Sequence, residues 1–269
     1  MDSLSPFIPR FVVSIMTIVF MVSITSCNSS QSQFIYSHGA IIRGDTTQQE
    51  IALIFTGGDF NDGGYEILNT LSKRGVIAGF FFTGDFYRNP KNRELISQLK
   101  SEGHYLGPHS DKHLLYCSWE DRDSLLVTKE EFTSDILANY ATMDSLFGIK
   151  KSDAPYFIPP YEWYNDSIAA WSRDNGLVLF NYSPGTISHA DYTTPEMKNY
   201  RSSSEIWKSI TEYEQNSANG MNGFILLIHI GTHPNRTDKF YYKLDDLIQY
   251  LDKRGYTFTR IDSLLSNSN

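Results

Sequence analysis

The fold is decided by the segment IALIFTGGDFNDGGYEILNTLSKRGVIAGFFF, which covers residues 51–82. Its two ends, 51–55 and 76–82, are short and nearly continuous runs of apolar, β-favouring residues, as expected of strands that are buried on both faces. Between them, residues 65–75 place aliphatic side chains on one helical face and end at a glycine. The segment therefore predicts a strand–helix–strand unit of a parallel sheet.

The same alternation continues along the chain. Five further apolar runs follow the first two, at residues 105–109, 156–160, 177–182, 224–230 and 256–261. Helical patterns lie at residues 65–75, 92–103, 129–148, 165–176, 202–215 and 238–255. Seven strands alternating with helices predict an α/β fold, and the pattern leaves open whether the sheet is a barrel or an open, doubly wound sheet.

The composition limits the class of function. Hydrophobic residues make up 41% of the 269-residue chain, which is enough for a substantial core, and aromatic residues make up 14%. The formal net charge is −8, and the chain has no cluster of lysines and arginines. Because binding to nucleic acid requires a basic surface, we expect no nucleic-acid partner.

The N-terminus has the pattern of an export signal. Residues 11–24 form an apolar run after Arg10, too short for a membrane span but suited to the core of a secretory signal. The run ends in ITSC (24–27), which resembles a bacterial lipoprotein cleavage box. We therefore predict a signal peptide over residues 1–26 and a lipid on Cys27 of the mature chain.

The cleavage box also sets the predicted organisation. Residues 27–49 are expected to be a lipid-anchored tether, and residues 50–265 a single domain. The protein is then an exported lipoprotein of the bacterial cell envelope, held to a membrane through Cys27. A plain transmembrane anchor is the alternative.

Polar side chains follow the predicted strands at one end of the sheet. They include Asp59, Asp62, Thr83, Asp85, His109, His113, Glu162 and His229. Ligands of α/β folds bind at the carboxyl ends of the strands. The loops at the other end of this sheet have no comparable group of polar and aromatic side chains. The asymmetry predicts an active site at the carboxyl ends, where Trp163 and its aromatic neighbours could stack on sugar rings.

His109 and His113 predict a metal site. Their four-residue spacing on a helical turn would point both imidazoles the same way, as a divalent ion requires, with Asp59 or Asp62 as a third ligand. Two histidines and one carboxylate leave a position open for a water whose pKa the ion lowers. His229 would then serve as general acid for the leaving group.

Three motifs give the chain a resemblance to a known family. HSDKH (109–113) meets the family motif His-Ser/Thr-x-x-His, LLIH (226–229) loosely meets Leu-x-Leu-His, and IPPY (158–161) meets Arg-Pro-Pro-Tyr without the arginine. The chain thus resembles the polysaccharide deacetylase family, carbohydrate esterase family 4, over roughly residues 50–262. The resemblance implies a distorted (β/α) barrel of about seven parallel strands.

The resemblance also implies roles for the site residues. It implies a divalent metal, Zn²⁺, held by Asp59, His109 and His113, and an oxyanion donor in the backbone N–H of Tyr161. The first motif departs from the pattern. The family has Thr-Phe-Asp-Asp-Gly, whereas residues 54–58 read IFTGG.

With the aspartate pair missing, the catalytic base is expected to be Asp62 or Glu162. The leading hypothesis is a monomeric, metal-dependent enzyme that removes acetyl groups from a poly- or oligosaccharide. The second is a non-catalytic glycan-binding protein on the same barrel. The third is a glycoside hydrolase with Asp59 and Glu162 as its carboxyl pair.

Overall fold

The computed structural model describes residues 1–2 and 34–266. The predicted signal peptide and lipid-bearing Cys27 fall outside the described residues, apart from the first two. Within the described part, no helix combines the length and the apolar character needed to cross a bilayer.

The described residues form nine strands and eight α-helices. The strands are β1 (Ile35–Ser37), β2 (Ala40–Arg43), β3 (Glu50–Gly57), β4 (Gly79–Phe82), β5 (Tyr105–Pro108), β6 (Tyr156–Phe157), β7 (Val178–Leu179), β8 (Phe224–His229) and β9 (Thr257–Phe258). The helices are α1 (Gly64–Arg74), α2 (Gly84–Arg88), α3 (Arg93–Ser101), α4 (Lys129–Phe147), α5 (Asp166–Asp174), α6 (Ser203–Asn216), α7 (Leu244–Asp252) and α8 (Ile261–Leu264). Each predicted apolar run overlaps one of the strands β3 to β9, and each predicted helical pattern overlaps a helix.

The centre of the fold is a parallel sheet. Its order is β5-β4-β3-β8, and β9 pairs with the start of β3. The strands β6 and β7 form a separate parallel pair. This arrangement of a parallel sheet and its helices confirms the predicted α/β fold and matches the distorted barrel.

Hydrogen bonds link the two sheets on both sides and close the distorted barrel. On one side, the Tyr105 hydroxyl accepts a hydrogen bond from the backbone N–H of Tyr156 (2.9 Å). On the other, the backbone N–H of Ser183 donates to the carbonyl of Ile225 (2.9 Å), and the Ser183 hydroxyl accepts from the Ile225 N–H (2.9 Å). The short strands β6 and β7 therefore continue the curve that the main sheet begins.

A hairpin that the sequence did not predict precedes the barrel. Strands β1 and β2 pair antiparallel, and Ile41 forms a bridge with Phe180 beyond β7. The buried Arg43 donates at 2.8 Å to the carbonyls of Gly220 and Asn222 and to the hydroxyl of Tyr213. Residues 35–43 therefore belong to the folded domain, although the sequence assigned them to the tether.

The helix α4 begins and ends where its sequence predicts. The Thr128 side chain accepts from the backbone N–H of Glu131, and the Glu131 carboxylate accepts from the N–H of Thr128, which completes a capping box. The helix ends at Gly148, whose φ of 61° lies in the left-handed region that glycine adopts most easily. These caps fix the helix that packs behind the histidine loop.

The core explains why the central strands are apolar on both faces. Residues 51–55 of β3 and residues 80–82 of β4 are fully buried, because side chains on one face fill the barrel and those on the other meet the helices. The carboxyl ends of β3, β4, β5 and β8 consequently meet at one edge of the barrel. The candidate site lies at that edge.

Candidate active site

A cleft of about 1200 Å³ opens at the carboxyl ends of the central strands. Its lining contains seven of the eight residues that the sequence predicted for the site: Asp59, His109, His113, Tyr161, Glu162, Trp163 and His229. Asp62 is not among the lining residues. The strand-end rule therefore brought together residues that line one cleft, and their roles there stay a prediction.

The two histidines meet across a bent loop and not on the helical turn that the sequence suggested. His109 follows the end of β5, and the loop turns through Ser110 and His113, whose φ angles are 71° and 54°. Such angles are uncommon for residues with side chains and indicate a conformation imposed by surrounding contacts. The imidazole centroids lie 5.0 Å apart.

The carboxylate of Asp135, on α4, holds this loop. It accepts hydrogen bonds from the Ser110 hydroxyl (2.5 Å) and from the backbone N–H groups of Asp111 (3.1 Å) and Lys112 (2.9 Å). The Tyr116 hydroxyl lies at 3.5 Å. Asp135 is buried, so its charge is stabilised by these neutral donors. Sequence reasoning missed it, since an aspartate within a predicted helix carries no functional signal.

Both imidazoles of the pair are neutral and can donate a lone pair. Burial lowers the pKa of His113 to about 4, with His229 acting in the same direction and the Asp59 charge opposing it. Burial also lowers the pKa of His109 well below its usual value. Nδ1 of His109 lies 3.0 Å from the carbonyl of Ile158, which can only accept, so Nδ1 carries the proton and Nε2 is free to bind.

The pair has the donor chemistry of the nitrogen half of a zinc site. Asp59 lines the same cleft on its exposed rim, and its charge acts on His113. Across the described residues, however, no three His, Cys, Asp or Glu side chains come together in a group that could hold a metal ion. The two histidines therefore fit a metal ion, but among the described residues no third ligand side chain is grouped with them.

Asp62 has a different position from the one predicted for a base or a metal ligand. Its carboxylate accepts from the Thr232 N–H and from the Tyr241 hydroxyl, and it forms an ion pair with Lys239, all at 2.8 Å. Burial raises the pKa of Asp62, but these partners outweigh it and lower the pKa overall. A carboxylate held in this way and lying outside the cleft lining is poorly suited to accept a proton.

Glu162 lies inside the cleft and has the properties of a base. Its Oε1 is 3.9 Å from Nε2 of His109. Burial raises the pKa of Glu162 to about 7, while the nearby His229 opposes this effect and Asp191 adds to it. Tyr161 and Glu162 have φ angles of 58° and 53°, so two consecutive left-handed residues turn this carboxyl group.

His229 is paired with Asp191, a residue that the sequence analysis did not identify. One carboxylate oxygen of Asp191 lies 2.6 Å from Nδ1 of His229, and the other accepts from the His229 backbone N–H (2.9 Å). Burial opposes charge on this imidazole, but Asp191 outweighs it and raises the pKa of His229. Asp191 lies only a few residues beyond the loop at 181–186, so extending that loop along the chain would have included it.

An aromatic wall forms one side of the cleft. Trp163 is covered by the Arg122 guanidinium, 3.6 Å from its ring centroid, and its Nε1 donates to the carbonyl of Ser118 (3.1 Å). Trp119 packs beside it with centroids 5.3 Å apart and is 57% exposed, and Tyr161 is 45% exposed. Trp163 therefore supports the wall, and Trp119 and Tyr161 present its open faces.

The polysaccharide deacetylase family matches residues 43–180, about half of the chain. The chain belongs to this family. Within it, the peptidoglycan-N-acetylmuramic acid deacetylase PdaA of Bacillus subtilis (strain 168) is 25% identical over 234 residues, which are 87% of this chain and 78% of that protein. The structure of PdaA superposes with a TM-score of 0.65 at 23% identity, covering 85% of each chain.

Two other proteins show the range of functions on this fold. A peptidoglycan-N-acetylglucosamine deacetylase of Bacillus cereus is 25% identical over 202 residues, which are 74% of this chain and 80% of that protein. A CE4 family pseudoenzyme of Bacillus anthracis superposes with a TM-score of 0.66 at 18% identity, covering 86% of this chain and 70% of that one. The family thus includes deacetylases and at least one protein described as a pseudoenzyme.

The end of β3 is the segment that the sequence analysis expected to depart from the family motif. Its residues Thr56 and Gly57 are those set against the two motif aspartates, and Thr56 pairs in register with His229 of β8. A Cβ atom built on Gly57 would lie 2.6 Å from Cγ2 of Ile230, 3.0 Å from the Phe82 ring and 3.1 Å from the Phe86 ring. Position 57 therefore has no space for a side chain.

We predict that Asp135→Asn destabilises the histidine loop. The amide keeps the size of the carboxylate but loses the acceptor capacity that Ser110 and the two N–H groups need. Leaving such buried donors unpaired costs about 1–3 kcal/mol, measurable by urea unfolding. Asp144→Asn, at an exposed position of the same helix, is the control and should unfold like wild type. Equal stability of the two variants would contradict the role of Asp135.

We also predict that Asp191→Asn lowers the pKa of His229. Removing the carboxylate takes away the main influence that raises the pKa of His229 and leaves burial, so the imidazole loses its proton at a lower pH than in wild type. An NMR titration of the His229 ring measures this shift. Asp166→Asn, an exposed carboxylate 3.8 Å from His38, is the control and should leave the His229 titration unchanged. An unaltered titration in Asp191→Asn would show that the pair is uncoupled.

Proposed function

We propose that this chain is a carbohydrate deacetylase that hydrolyses acetyl groups of a poly- or oligosaccharide in the bacterial cell envelope. The observation that carries the proposal is the juxtaposition of Glu162 and the His229–Asp191 pair in one cleft beside two neutral histidines. Family membership and relatives named as peptidoglycan deacetylases support the substrate class.

The proposed reaction uses the two groups in opposite roles. Glu162, with its pKa raised to about 7, accepts a proton from the water that attacks the acetyl carbonyl. His229, whose pKa is raised by Asp191, donates its proton to the departing amine or alcohol oxygen. In active sites, the surroundings of an acid and a base usually shift their two pKa values apart, so that each group has the protonation state its role requires. The backbone N–H of Tyr161 stabilises the oxyanion in this scheme.

We propose further that His109, His113 and Asp59 hold a divalent ion, Zn²⁺ being the best match to two imidazoles and a carboxylate. When bound, such an ion supplies a Lewis acid at the acetyl carbonyl and makes water more acidic. His109 is oriented for this by the Ile158 carbonyl, and the Asp135 contacts keep His113 beside it.

We propose that the reaction takes place outside the cytoplasm, a location that the export-signal pattern of residues 11–27 supports. A lipid on Cys27 would anchor a monomeric domain to a membrane, where peptidoglycan or other envelope glycans are within reach. We predict that Cys27→Ala moves the protein from the membrane fraction to the soluble extracytoplasmic fraction, as assayed by detergent partitioning and immunoblot. Ser29→Ala in the same segment is the control. Membrane retention of Cys27→Ala would favour a transmembrane anchor.

Glu162→Gln tests the assignment of the base. The amide cannot accept a proton, so acetate release from an N-acetylated chito-oligosaccharide should fall by about 10²- to 10⁴-fold. Glu196→Gln, which alters an exposed carboxylate of the same cleft, is the control and should lose little activity. Activity of Glu162→Gln close to that of wild type would exclude Glu162 as the base.

A non-catalytic glycan-binding protein is the second candidate function. The observations that favour it are Thr56 and Gly57 in place of the family aspartates and the lack, within the described residues, of a three-ligand metal group. A chelator separates the two functions. An enzyme loses acetate release on chelation, whereas a binding protein releases no acetate at any stage and keeps its affinity for the glycan. Release of reducing ends from the glycan without release of acetate would instead indicate a glycoside hydrolase.

A further inference from the structure

Arg236, in the loop that follows β8, is a fully buried arginine. Its guanidinium stays positively charged at any physiological pH. None of the ion pairs found in residues 34–266 includes it, and its Nε has no hydrogen-bond partner in that part of the chain. Because a buried cation without a carboxylate partner is unfavourable for folding, stability alone does not explain this residue.

The guanidinium of Arg236 binds a turn of the backbone. One of its terminal nitrogens donates to the carbonyls of Thr193 (2.6 Å) and Arg201 (2.9 Å). The Thr193 hydroxyl in turn accepts from the backbone N–H of Arg201 (3.1 Å) and donates to the carbonyl of Ala190 (2.7 Å), which also accepts from the Thr193 N–H (3.0 Å). These bonds close the turn from Ala190 to Thr193 and fasten it to the loop after β8.

The turn held by Arg236 carries Asp191 and Tyr192. The buried carboxylate of Asp191 accepts from Nδ1 of His229 (2.6 Å) and from the His229 backbone N–H (2.9 Å). Within the described residues, no other side chain or backbone group donates to this carboxylate. Its position is therefore set by its own backbone. Tyr192, which lines the cleft, has its ring centroid 5.2 Å from that of His229.

The position of Arg236 and its charge act on His229 in opposite directions. Burial lowers the pKa of His229, Asp191 and Glu162 raise it, and the charge of Arg236 lowers it. The charge thus favours the neutral imidazole, whereas the turn that Arg236 holds supplies the carboxylate that favours the protonated one. The other titratable groups that face His229 are His109, His113, His189 and Tyr192. The opposite signs allow an experiment to separate the two effects.

We propose that Arg236 is a positioning residue for the acid: by holding the turn from Ala190 to Thr193, it keeps the carboxylate of Asp191 on both the ring and the backbone N–H of His229. This inference deepens the proposed function and rests on it for the role of His229 as the acid. The planar fork of an arginine suits the task, because it can reach two carbonyl groups in fixed directions from within the core.

The test is the variant Arg236→Lys, which keeps the charge but loses the fork. By NMR, the backbone N–H of His229 should exchange with solvent roughly tenfold faster, about the effect of one lost hydrogen bond. The adjacent N–H of Ile230, which donates to the carbonyl of Thr56 (2.9 Å), should exchange as in wild type. The His229 ring should titrate with a lower pKa. Arg43→Lys, at another buried arginine that donates to backbone carbonyls, is the matched control and should leave His229 unchanged.

A comparison of leaving groups adds a kinetic measurement. The phenolate of an aryl acetate departs without a proton from an acid, whereas the amine of an N-acetylated chito-oligosaccharide requires one. Arg236→Lys should therefore lose roughly tenfold more activity on the oligosaccharide than on the aryl acetate. If Arg236→Lys does not fold, Thr193→Val takes its place. It removes the hydroxyl that closes the turn, keeps the size of the side chain, and should change the His229 measurements in the same direction.

The outcomes separate positioning from packing and from catalysis. Faster exchange of His229 and Ile230 alike, or an unchanged His229 titration, would reduce Arg236 to a structural role and overturn the proposal. A raised pKa of His229 would show that the charge dominates, with the same consequence. If wild type releases no acetate while the NMR measurements change as expected, the catalytic proposal fails and the positioning of Asp191 stands. If wild type and Arg236→Lys release acetate equally well, the positioning role fails.

Discussion

The buried carboxylate of Asp135 is the contact on which the geometry of the active site depends. Its side chain is buried, and none of the ion pairs found in residues 34–266 includes it. Its stabilisation comes from a hydroxyl and two backbone N–H groups of one loop. Because a buried charge tolerates few arrangements of its donors, the loop takes one conformation, in which His109 and His113 face each other despite unfavourable backbone angles.

The chemistry of the cleft follows from unequal environments for similar groups. Five histidines line it, and among them only His229 has a carboxylate oxygen within hydrogen-bond distance of its ring. That contact favours the protonated form of His229, whereas burial favours the neutral form of His109 and His113. Glu162 is shifted by burial toward the neutral acid. Thus position, rather than residue type, divides the side chains into an acid, a base and candidate metal ligands.

The sequence predicted the main elements because their signals are local. A strand buried on both faces is a continuous apolar run, and each of β3 to β9 overlaps one of the predicted runs. The hairpin β1–β2 gives a weaker signal, since its first strand is largely exposed and its three- and four-residue strands are too short for a clear period. Strand ends also predicted which loops form the cleft.

What the sequence could not predict depends on pairing across the fold. Asp135 and Asp191 act through partners 25 and 38 residues away, and nothing near them in the chain identifies those partners. For Asp62 the sequence analysis made the opposite error, because it predicted a role in the site that the contacts of this residue do not support. It lies close to Asp59 in sequence, but Thr232, Tyr241 and Lys239 bind it from the other side of the loop. Proximity in sequence suggested a shared role, whereas tertiary contacts gave the two carboxylates separate ones.

The tight contact between Gly57 and Ile230 couples these two positions. A Cβ at position 57 would lie 2.6 Å from Cγ2 of the fully buried Ile230, so an aspartate placed there would force Ile230 to move. A smaller residue at position 230 would make room, but that change alone would leave a cavity. Engineering an aspartate into the end of β3 therefore calls for a compensating change at position 230.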